Sequence, residues 1–222
     1  IKHMMTKAVH WGSLLKNPLR SVTKLKEPPG RVRYLTTDEI SRLLYCCPQH
    51  IKPIVITALN TGMRKGEILG LKWEDVDLIK RVILVRDSKN HRSRHIPIND
   101  ILYAELLRLP HGPTDCEHVF VGKGNKPIRS IQNAWERALK AAGIVNFRFH
   151  DLRHTFASYL AMNGHNIRDI QELLGQKTIL MTIRYSHLSN EVLRRAVDTL
   201  NLGQCQNCEV GTNMAQAATE KA

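Results

Sequence analysis

The sequence lacks an apolar run of membrane-spanning length, because charged or strongly polar residues interrupt every hydrophobic stretch well before about 20 residues. It also lacks a secretory signal, a basic amphipathic helix with an aromatic face and any internal repeat. These absences argue against a membrane protein and a repeat protein. They favour a cytoplasmic location.

Cysteine is too scarce and too awkwardly placed for a disulfide framework. Cys46 and Cys47 are adjacent, and because the chain has 5 cysteines, one thiol would stay unpaired. Cys205 and Cys208 form a single C-x-x-C motif without a second ligand pair, so a chance occurrence is favoured over a zinc site. The cysteines therefore indicate an intracellular chain.

Acidic residues are also few, which leaves the chain strongly basic. The 222 residues include 33 Lys plus Arg against 20 Asp plus Glu, a formal net charge of +13. Basic side chains gain affinity for a phosphate backbone by releasing its condensed counterions. Nucleic acid is therefore favoured as the partner over an anionic membrane.

The composition changes along the chain and predicts three parts. Residues 1–34 contain a short helical stretch at 7–15 and then the basic, proline-bearing segment "KNPLRSVTKLKEPPGRVRY", which is typical of a linker. Residues 35–202 form the main domain. Residues 203–222 are small and polar and predict a disordered tail.

Within the main domain, helical periodicity is interrupted once by a strand pattern. "TTDE" has the spacing of a capping box and opens the domain at Thr36. Two short strands are predicted at 81–87 and 94–98. Helices are predicted at 51–60, 64–73, 130–143, 150–164, 166–175 and 190–200, with a further one beginning after Gly175. The fold class is therefore α+β, mainly helical, with one small antiparallel sheet.

Several basic residues are candidates for an anion site, and each also has an ordinary explanation. His150 and Arg153, three residues apart in "HDLRH", could converge on one phosphate, or belong to a solvated helix face. Arg64 follows "LNTG" and opens a helix, whose N-terminus favours anions, although an ordinary surface arginine explains it equally well. Lys89, at the tip between the two strands, could reach a bound backbone or be a solubilising charge.

Tyr185 is the candidate nucleophile, although, taken without the other residues, it would be interpreted as an ordinary half-exposed tyrosine. If the segment after Gly175 is an α-helix, Tyr185 points away from the apolar direction set by Ile179 and Ile183. An attacking tyrosine needs stabilisation of the charge on the phosphate oxygens and a proton for the departing 5′-oxygen. Two arginines, a histidine and a lysine could supply both without a metal, and the sequence has no H-E-x-x-H motif.

Four motifs together resemble the catalytic domain of the tyrosine recombinases, the phage integrase family. They are "LNTGMRKGEILGLKWEDVD", the lysine of "SKNHRSRHIPI", "HDLRHTFAS" and "LLGQKTILMTIRYSHL". The resemblance covers about residues 35–190. It implies that Arg64 and Arg153 clamp the scissile phosphate and that His150 assists as acid, base or hydrogen-bond donor. Lys89 would protonate the 5′-oxygen and Tyr185 would form a 3′-phosphotyrosyl bond.

The resemblance further implies a site-specific recombinase that needs no ATP, cofactor or metal. It would act on double-stranded DNA as a homotetramer, with or without accessory DNA-bending proteins. Residues 1–34 would be the end of a core-binding domain with its linker. The sequence leaves two other functions open, a DNA-binding module with a weakened active site and a type IB topoisomerase.

Gln176 departs from the pattern of that family. At this position, after the "LLG" turn, the family usually has a histidine or a tryptophan that donates a hydrogen bond to a phosphate oxygen. A glutamine retains an N–H donor but cannot become cationic. The substitution predicts a weaker contribution from this donor while leaving the reaction type unchanged.

Overall fold

The computed structural model describes residues 1–23, 33–86, 93–110, 117–189 and the single residue 197. The chain divides into two compact units, residues 1–32 and 33–222. The predicted boundary between linker and main domain, at residues 34 and 35, lies two residues from this division. In none of the described residues is there a helix both long and apolar enough to cross a lipid bilayer.

The first unit is built on one short helix, α1 (Lys2–His10). This helix begins earlier than the predicted segment 7–15 and buries none of its residues. The Nζ atom of Lys2 donates to the carbonyl oxygens of Arg20 and Val22 at 3.1 and 3.0 Å. The chain after α1 therefore folds back onto this helix, where polar contacts and not an apolar core hold it.

The described part of the second unit is mainly helical with one small antiparallel sheet, which confirms the predicted fold class. Its helices are α2 (Thr37–Cys46), α3 (Lys52–Thr61), α4 (Lys65–Leu69), α5 (Asp100–Arg108), α6 (Gln132–Ala141), α7 (Asp151–Met162) and α8 (Ile167–Leu174). Its strands are β1 (Val76–Asp77), β2 (Val82–Val85) and β3 (Arg94–Pro97). Short 3₁₀ segments occupy Trp73–Asp75, Lys123–Asn125, Ile179–Met181 and Ile183–Ser189.

Helix α3 is the centre of the core. Apolar residues lie on most of its sides, as expected of a helix that neighbours surround, and seven of its ten residues are buried. The two buried threonines satisfy their hydroxyls within the helix: Thr57 donates to the carbonyl of Pro53 at 2.8 Å, and Thr61 donates to that of Thr57 at 2.6 Å. The helix ends at Gly62 in the left-handed conformation, with φ of 61°.

The start of the domain follows the predicted capping box. The hydroxyl of Thr36 accepts from the backbone N–H of Glu39, and the Glu39 carboxylate accepts from the backbone N–H of Thr36 at 2.9 Å. Leu35, immediately before the cap, is fully buried and donates its N–H to the hydroxyl of Thr155 on α7. The first residues of the domain are thereby joined to the helix that carries "HDLRH".

The sheet has the order β1-β2-β3, and both pairs are antiparallel. Ile83 is the central residue, paired with Val76 on one side and with Ile96 on the other. Strand β3 alternates between buried and exposed residues, so that Arg94 faces inward together with Ile96. A charged side chain is therefore directed toward the interior.

Several features of the chain differ from the sequence-based predictions or lie beyond them. The helix predicted at 64–73 is observed only over Lys65–Leu69. Strand β1 and helix α5 were not predicted. The segment after Gly175 is not an α-helix as predicted but two 3₁₀ segments, Ile179–Met181 and Ile183–Ser189. The predicted helix at 190–200, except for residue 197, and the predicted tail at 203–222 fall outside the described residues.

Candidate active site

Arg64 precedes the short helix α4 and is held by the third residue of that helix. The Glu67 carboxylate accepts from the Arg64 backbone N–H at 2.8 Å and from its guanidinium at 2.7 Å. The Arg64 side chain nevertheless remains 44% exposed. Helix α4 has only five residues, and the Arg64 N–H already donates to Glu67, so this N–H is not the group that would bind an anion. The exposed guanidinium itself is available to an anion.

Arg153, on the first turn of α7, lies inside the protein and is 4% exposed. Its Nη1 donates to the carbonyl oxygen of Gly62 at 2.7 Å, and its Nη2 donates to that of Leu174. Burial, together with the charges of Arg64 and Arg94, lowers the pKa of Arg153 to about 10. The guanidinium therefore stays charged at neutral pH and joins the ends of α3 and α8.

Arg94, which the sequence analysis did not select, is a second buried arginine beside this site. Its guanidinium forms a two-pronged ion pair with Glu67, and its Nε donates to the carbonyl of Leu173 at 3.0 Å. The sequence offered a weak signal, since an arginine at the start of a short strand is usually solvent-exposed. Its inward direction follows from the register of β3 against β2.

Three arginines thus bind three consecutive carbonyl oxygens at the end of α8. Arg94 binds Leu173, Arg153 binds Leu174, and Arg64 approaches Gly175 at 3.5 Å. A helix C-terminus carries partial negative charge on its unpaired carbonyls, so it attracts guanidinium groups. Together with Glu67, this helix end holds three positive charges close to one another.

Gly175 is required at this helix end for two reasons. Its φ is 59°, in the left-handed region, and a Cβ atom there would lie 2.9 Å from both Cδ and Nη1 of Arg94. The left-handed turn directs the chain from α8 toward Gln176. The position of Gln176 is therefore tied to the packing of the buried arginine.

His150 is the residue before α7, and its imidazole is exposed. Phe149, which precedes it, packs edge to face on Trp135 of α6 with ring centroids 5.2 Å apart, and Phe147 also contacts Trp135. Partial burial and the charge of Arg153 lower the pKa of His150. In its neutral form the imidazole can either donate or accept a hydrogen bond, depending on its tautomer.

Tyr185 lies where the prediction did not place it. The 3₁₀ geometry turns its ring into the protein, where it is 1% exposed, while Ile183 is 46% exposed. The hydroxyl of Tyr185 is 2.5 Å from Nδ1 of His154 on α7. The α-helical projection from Ile179 was therefore wrong about which side of the segment is buried, because 3₁₀ and α geometry rotate successive residues differently.

His154 is a further residue that the sequence analysis did not select. It is half-buried, and its ring centroid lies 5.4 Å from that of His150 at a right angle. Burial and the neighbouring His150 lower the pKa of His154 to about 4. Burial raises the pKa of Tyr185. The sequence does contain a signal for His154, because the helical spacing of the two histidines in "HDLRH" places His154 close to His150.

Gln176 is oriented by a buried threonine. Its Oε1 accepts a hydrogen bond from the hydroxyl of Thr182 at 2.7 Å, and its backbone carbonyl accepts from the side chain of Gln171 at 3.0 Å. Thr182 is fully buried. In the described part of the chain, the Nε2 group of Gln176 has no hydrogen-bond acceptor, so it is the donor that the side chain can offer.

The structure brings together five of the six predicted site residues. Arg64, Arg153 and Gln176 meet at the end of α8, while His150 and Tyr185 meet through His154. The sixth, Lys89, falls outside the described residues. The described residues contain no group of three or more His, Cys, Asp or Glu side chains that could hold a metal ion.

A model of the phage integrase family matches residues 33–191. The chain belongs to the phage integrase family. A relative within the family, the integrase of Salmonella phage P22, is 33% identical over 225 residues, covering 91% of this chain and 57% of the relative. The tyrosine recombinase XerA of Thermococcus kodakarensis is 34% identical over 186 residues, covering 80% of this chain and 66% of the relative.

Solved structures of integrase-family proteins have the same fold. The crystal structure of a XerA recombinase has a TM-score of 0.65 at 33% identity, covering 78% of this chain and 66% of that one. The catalytic domain of bacteriophage HP1 integrase has a TM-score of 0.60 at 30% identity, covering 78% of this chain and 97% of that one. The chain spans about half to two thirds of the length of the curated relatives it matches.

Proposed function

We propose that this chain contains the catalytic domain of a site-specific DNA recombinase that cleaves and rejoins strands through a 3′-phosphotyrosyl bond, without ATP or a metal. The observation that carries the proposal is the position of the Tyr185 hydroxyl. It contacts α7 within the segment 150–154, which also holds His150 and Arg153. The start of α7 thus brings two of the required groups, His150 and Arg153, next to the tyrosine of the segment Ile183–Ser189.

Arg64, Arg153 and Gln176 fit the task of stabilising charge on the scissile phosphate. The reaction places additional negative charge on the non-bridging oxygens, and preorganised donors stabilise that charge most when their positions are already fixed. Arg153 is fixed by two carbonyls, Arg64 by Glu67, and Gln176 by Thr182. These contacts hold the three groups in place before a substrate binds.

The covalent step balances with the residues of this chain. The Tyr185 oxygen forms a bond to phosphorus and loses its proton, while the bond from phosphorus to the 5′-oxygen breaks. The 5′-oxygen then requires a proton, a role that we assign to Lys89. Because one phosphodiester is exchanged for another, the 5′-hydroxyl of a partner strand can reverse the step without an external energy source.

A cleft beside His150 supports double-stranded DNA as the substrate. Its volume is about 580 Å³, and Lys65, Arg148 and His150 line it together with one carboxylate, Glu136. Lys65 and Arg148 are both exposed. A basic rim next to the reacting groups suits a phosphate backbone. We further propose that four protomers assemble on two duplexes, with accessory DNA-bending proteins at some sites.

A nicked suicide duplex tests the proposal, because the short fragment that carries the freed 5′-hydroxyl diffuses away and leaves the covalent intermediate trapped. A pool of such duplexes with random sequence would be incubated with the protein, and the DNA linked to it would be sequenced. We expect an adduct that Tyr185→Phe abolishes and that Tyr159→Phe, a tyrosine change on α7 outside the site, retains. The absence of any adduct, with DNA binding intact, would identify a binding module instead.

A second assay separates recombination from strand relaxation. Once the captured sequence is known, two duplexes carrying it would be mixed, and a supercoiled plasmid carrying one copy would be treated in parallel. Joined products from the two duplexes are expected for a recombinase. Relaxed plasmid without joined products would favour the topoisomerase alternative.

A further inference from the structure

The Tyr185 hydroxyl has one hydrogen-bond partner among the described residues, and that partner is His154. Tyr185 is 1% exposed, so its hydroxyl is largely shielded from bulk solvent. The Oη atom of Tyr185 and the Nδ1 atom of His154 lie within hydrogen-bonding distance of each other. Any account of how this phenol loses its proton therefore has to include His154.

A protonated phenol is a poor nucleophile at neutral pH. The ordinary pKa of tyrosine is about 10, and burial raises that of Tyr185 further. Free phenolate is therefore too rare to account for attack, and the proton must leave as the bond to phosphorus forms. A base within hydrogen-bond distance of the hydroxyl is the group that can accept it.

We propose that His154 is a further catalytic residue, whose neutral imidazole accepts the phenolic proton through Nδ1 as the Tyr185 oxygen attacks phosphorus. This inference rests on the proposed function. The Oη–H bond breaks and the Nδ1–H bond forms, while the Oη–P bond forms and the P–O5′ bond breaks. In the rejoining step, the proton returns from Nδ1 to the phenol as the 5′-hydroxyl attacks.

The surroundings keep His154 in the form that can accept a proton. The charged and titratable groups that act on it are His150, Asp151 and Arg153 on α7 and Arg184 on the segment that carries Tyr185. Burial, together with the positive charges, lowers the pKa to about 4, so the ring is neutral throughout the physiological range. An incoming phosphate adds negative charge and makes imidazolium formation easier than in the free protein.

His150 is less well placed for this role in the described structure. Its ring lies beside His154 and not on the phenol, and it is exposed where a phosphate would arrive. The arrangement assigns different tasks to the two histidines. His150 faces the substrate, whereas His154 faces the nucleophile.

Substitution separates proton acceptance from simple positioning. His154→Asn keeps an acceptor close to the place of Nδ1 but cannot take up a proton, and His154→Ala removes both functions. We expect both variants to lower the single-turnover cleavage rate of the suicide duplex by about 10²–10⁴-fold. His165→Asn, a change at an exposed histidine after α7, should leave the rate unchanged. A His154→Asn rate within about threefold of the unmodified protein would overturn the proposal.

The pH profile gives a readout that a purely structural role would not move. With His154 present, the cleavage rate should not depend on its ionisation above pH 6. In His154→Asn, hydroxide or water must accept the proton. The deficit, which is the loss of cleavage rate relative to the unmodified protein, should therefore become steadily smaller as the pH rises from 6 to 9. A deficit that is constant over this range would contradict proton acceptance. Thermal unfolding and DNA binding of each variant would establish that the fold is retained.

The tautomer of His154 can be measured without any substrate. Long-range ¹H–¹⁵N correlation spectra should show a neutral ring with the proton on Nε2 and a bare Nδ1 at pH 7. A proton on Nδ1 would mean that the imidazole donates to the phenol oxygen, which would overturn the proposal even if the protein cleaves DNA. Conversely, if the unmodified protein forms no adduct on any duplex, the proposed function is wrong, and the proposed role of His154 is then wrong as well.

Discussion

Arg94 and Glu67 form a two-pronged ion pair that is almost excluded from solvent. Their distances are 3.2 Å from Nη1 to Oε1 and 2.6 Å from Nη2 to Oε2, and their side chains are 9% and 15% exposed. The same carboxylate holds Arg64. This ion pair lies outside the expected reacting groups, but through Glu67 it positions one of them, Arg64. It also stabilises the end of α8, because Arg94 donates to the carbonyl of Leu173.

Removing Arg94 should destabilise the domain strongly. In Arg94→Ala, Glu67 loses its buried partner and keeps only the partly exposed Arg64, and the carbonyl of Leu173 loses its donor. Breaking a buried pair of this kind costs up to about 3 kcal/mol. Arg108→Ala is the matched control, because that arginine is 77% exposed in its pair with Glu105, and it should cost less than about 1 kcal/mol. Urea unfolding of both variants measures the difference. Equal losses would show that the buried pair contributes no more than a surface pair.

Glu67 should also make stability depend on pH. Burial alone would raise its pKa, but hydrogen bonds from Arg94 and Arg64 outweigh burial, so the folded pKa lies below the ordinary value of 4.5. The contribution of Glu67 is therefore fully present above about pH 4.5 and is lost as the pH falls through the folded pKa. Between pH 7 and pH 3, the free energy of unfolding should fall less in Glu67→Gln than in the unmodified protein. Identical pH dependence in the two proteins would contradict this assignment.

Gly175→Ala should cost more than the same change at another left-handed glycine. Gly143, which closes α6, has φ of 67° and no atom within 4 Å of the place an added methyl group would take, so Gly143→Ala carries only the backbone cost, about 1–2 kcal/mol. At Gly175 the methyl group would also displace the guanidinium of Arg94. Unfolding free energies of the two variants give the steric part by difference. A difference near zero would mean that Arg94 moves aside without loss.

The sequence was sufficient for the fold class, the capping box at Thr36 and the motifs that carry Arg64, His150, Arg153 and Tyr185. It was insufficient where tertiary packing decided the local geometry. Tyr185 was projected on an α-helix, whereas the chain forms 3₁₀ turns there, after the left-handed turn at Gly175. Arg94 was missed since a strand register cannot be read from an isolated arginine.

The basic cleft beside His150 predicts a measurable salt effect. If Arg148 on its rim contacts a DNA phosphate, Arg148→Ala should weaken binding to all sequences similarly and reduce the slope of log affinity against log salt by about 0.9. Arg108→Ala, on α5, serves again as the control and should leave the slope unchanged. Fluorescence anisotropy from 50 to 300 mM salt measures both. An unchanged slope for Arg148→Ala would place the DNA elsewhere.

Gln176 should limit the cleavage rate because its donor is neutral. A histidine in its place could accept from Thr182 with one nitrogen and donate with the other, and in its cationic form it would be a charge-assisted donor, about twice as strong as a neutral one. Gln176→His is therefore expected to raise single-turnover cleavage by up to about tenfold, and Gln176→Leu to lower it by about 10²-fold. Thr182→Val should lower the rate in the glutamine background by releasing Oε1. A Gln176→His rate equal to or below that of the unmodified protein would show that glutamine, held by Thr182, is already the better donor for this site.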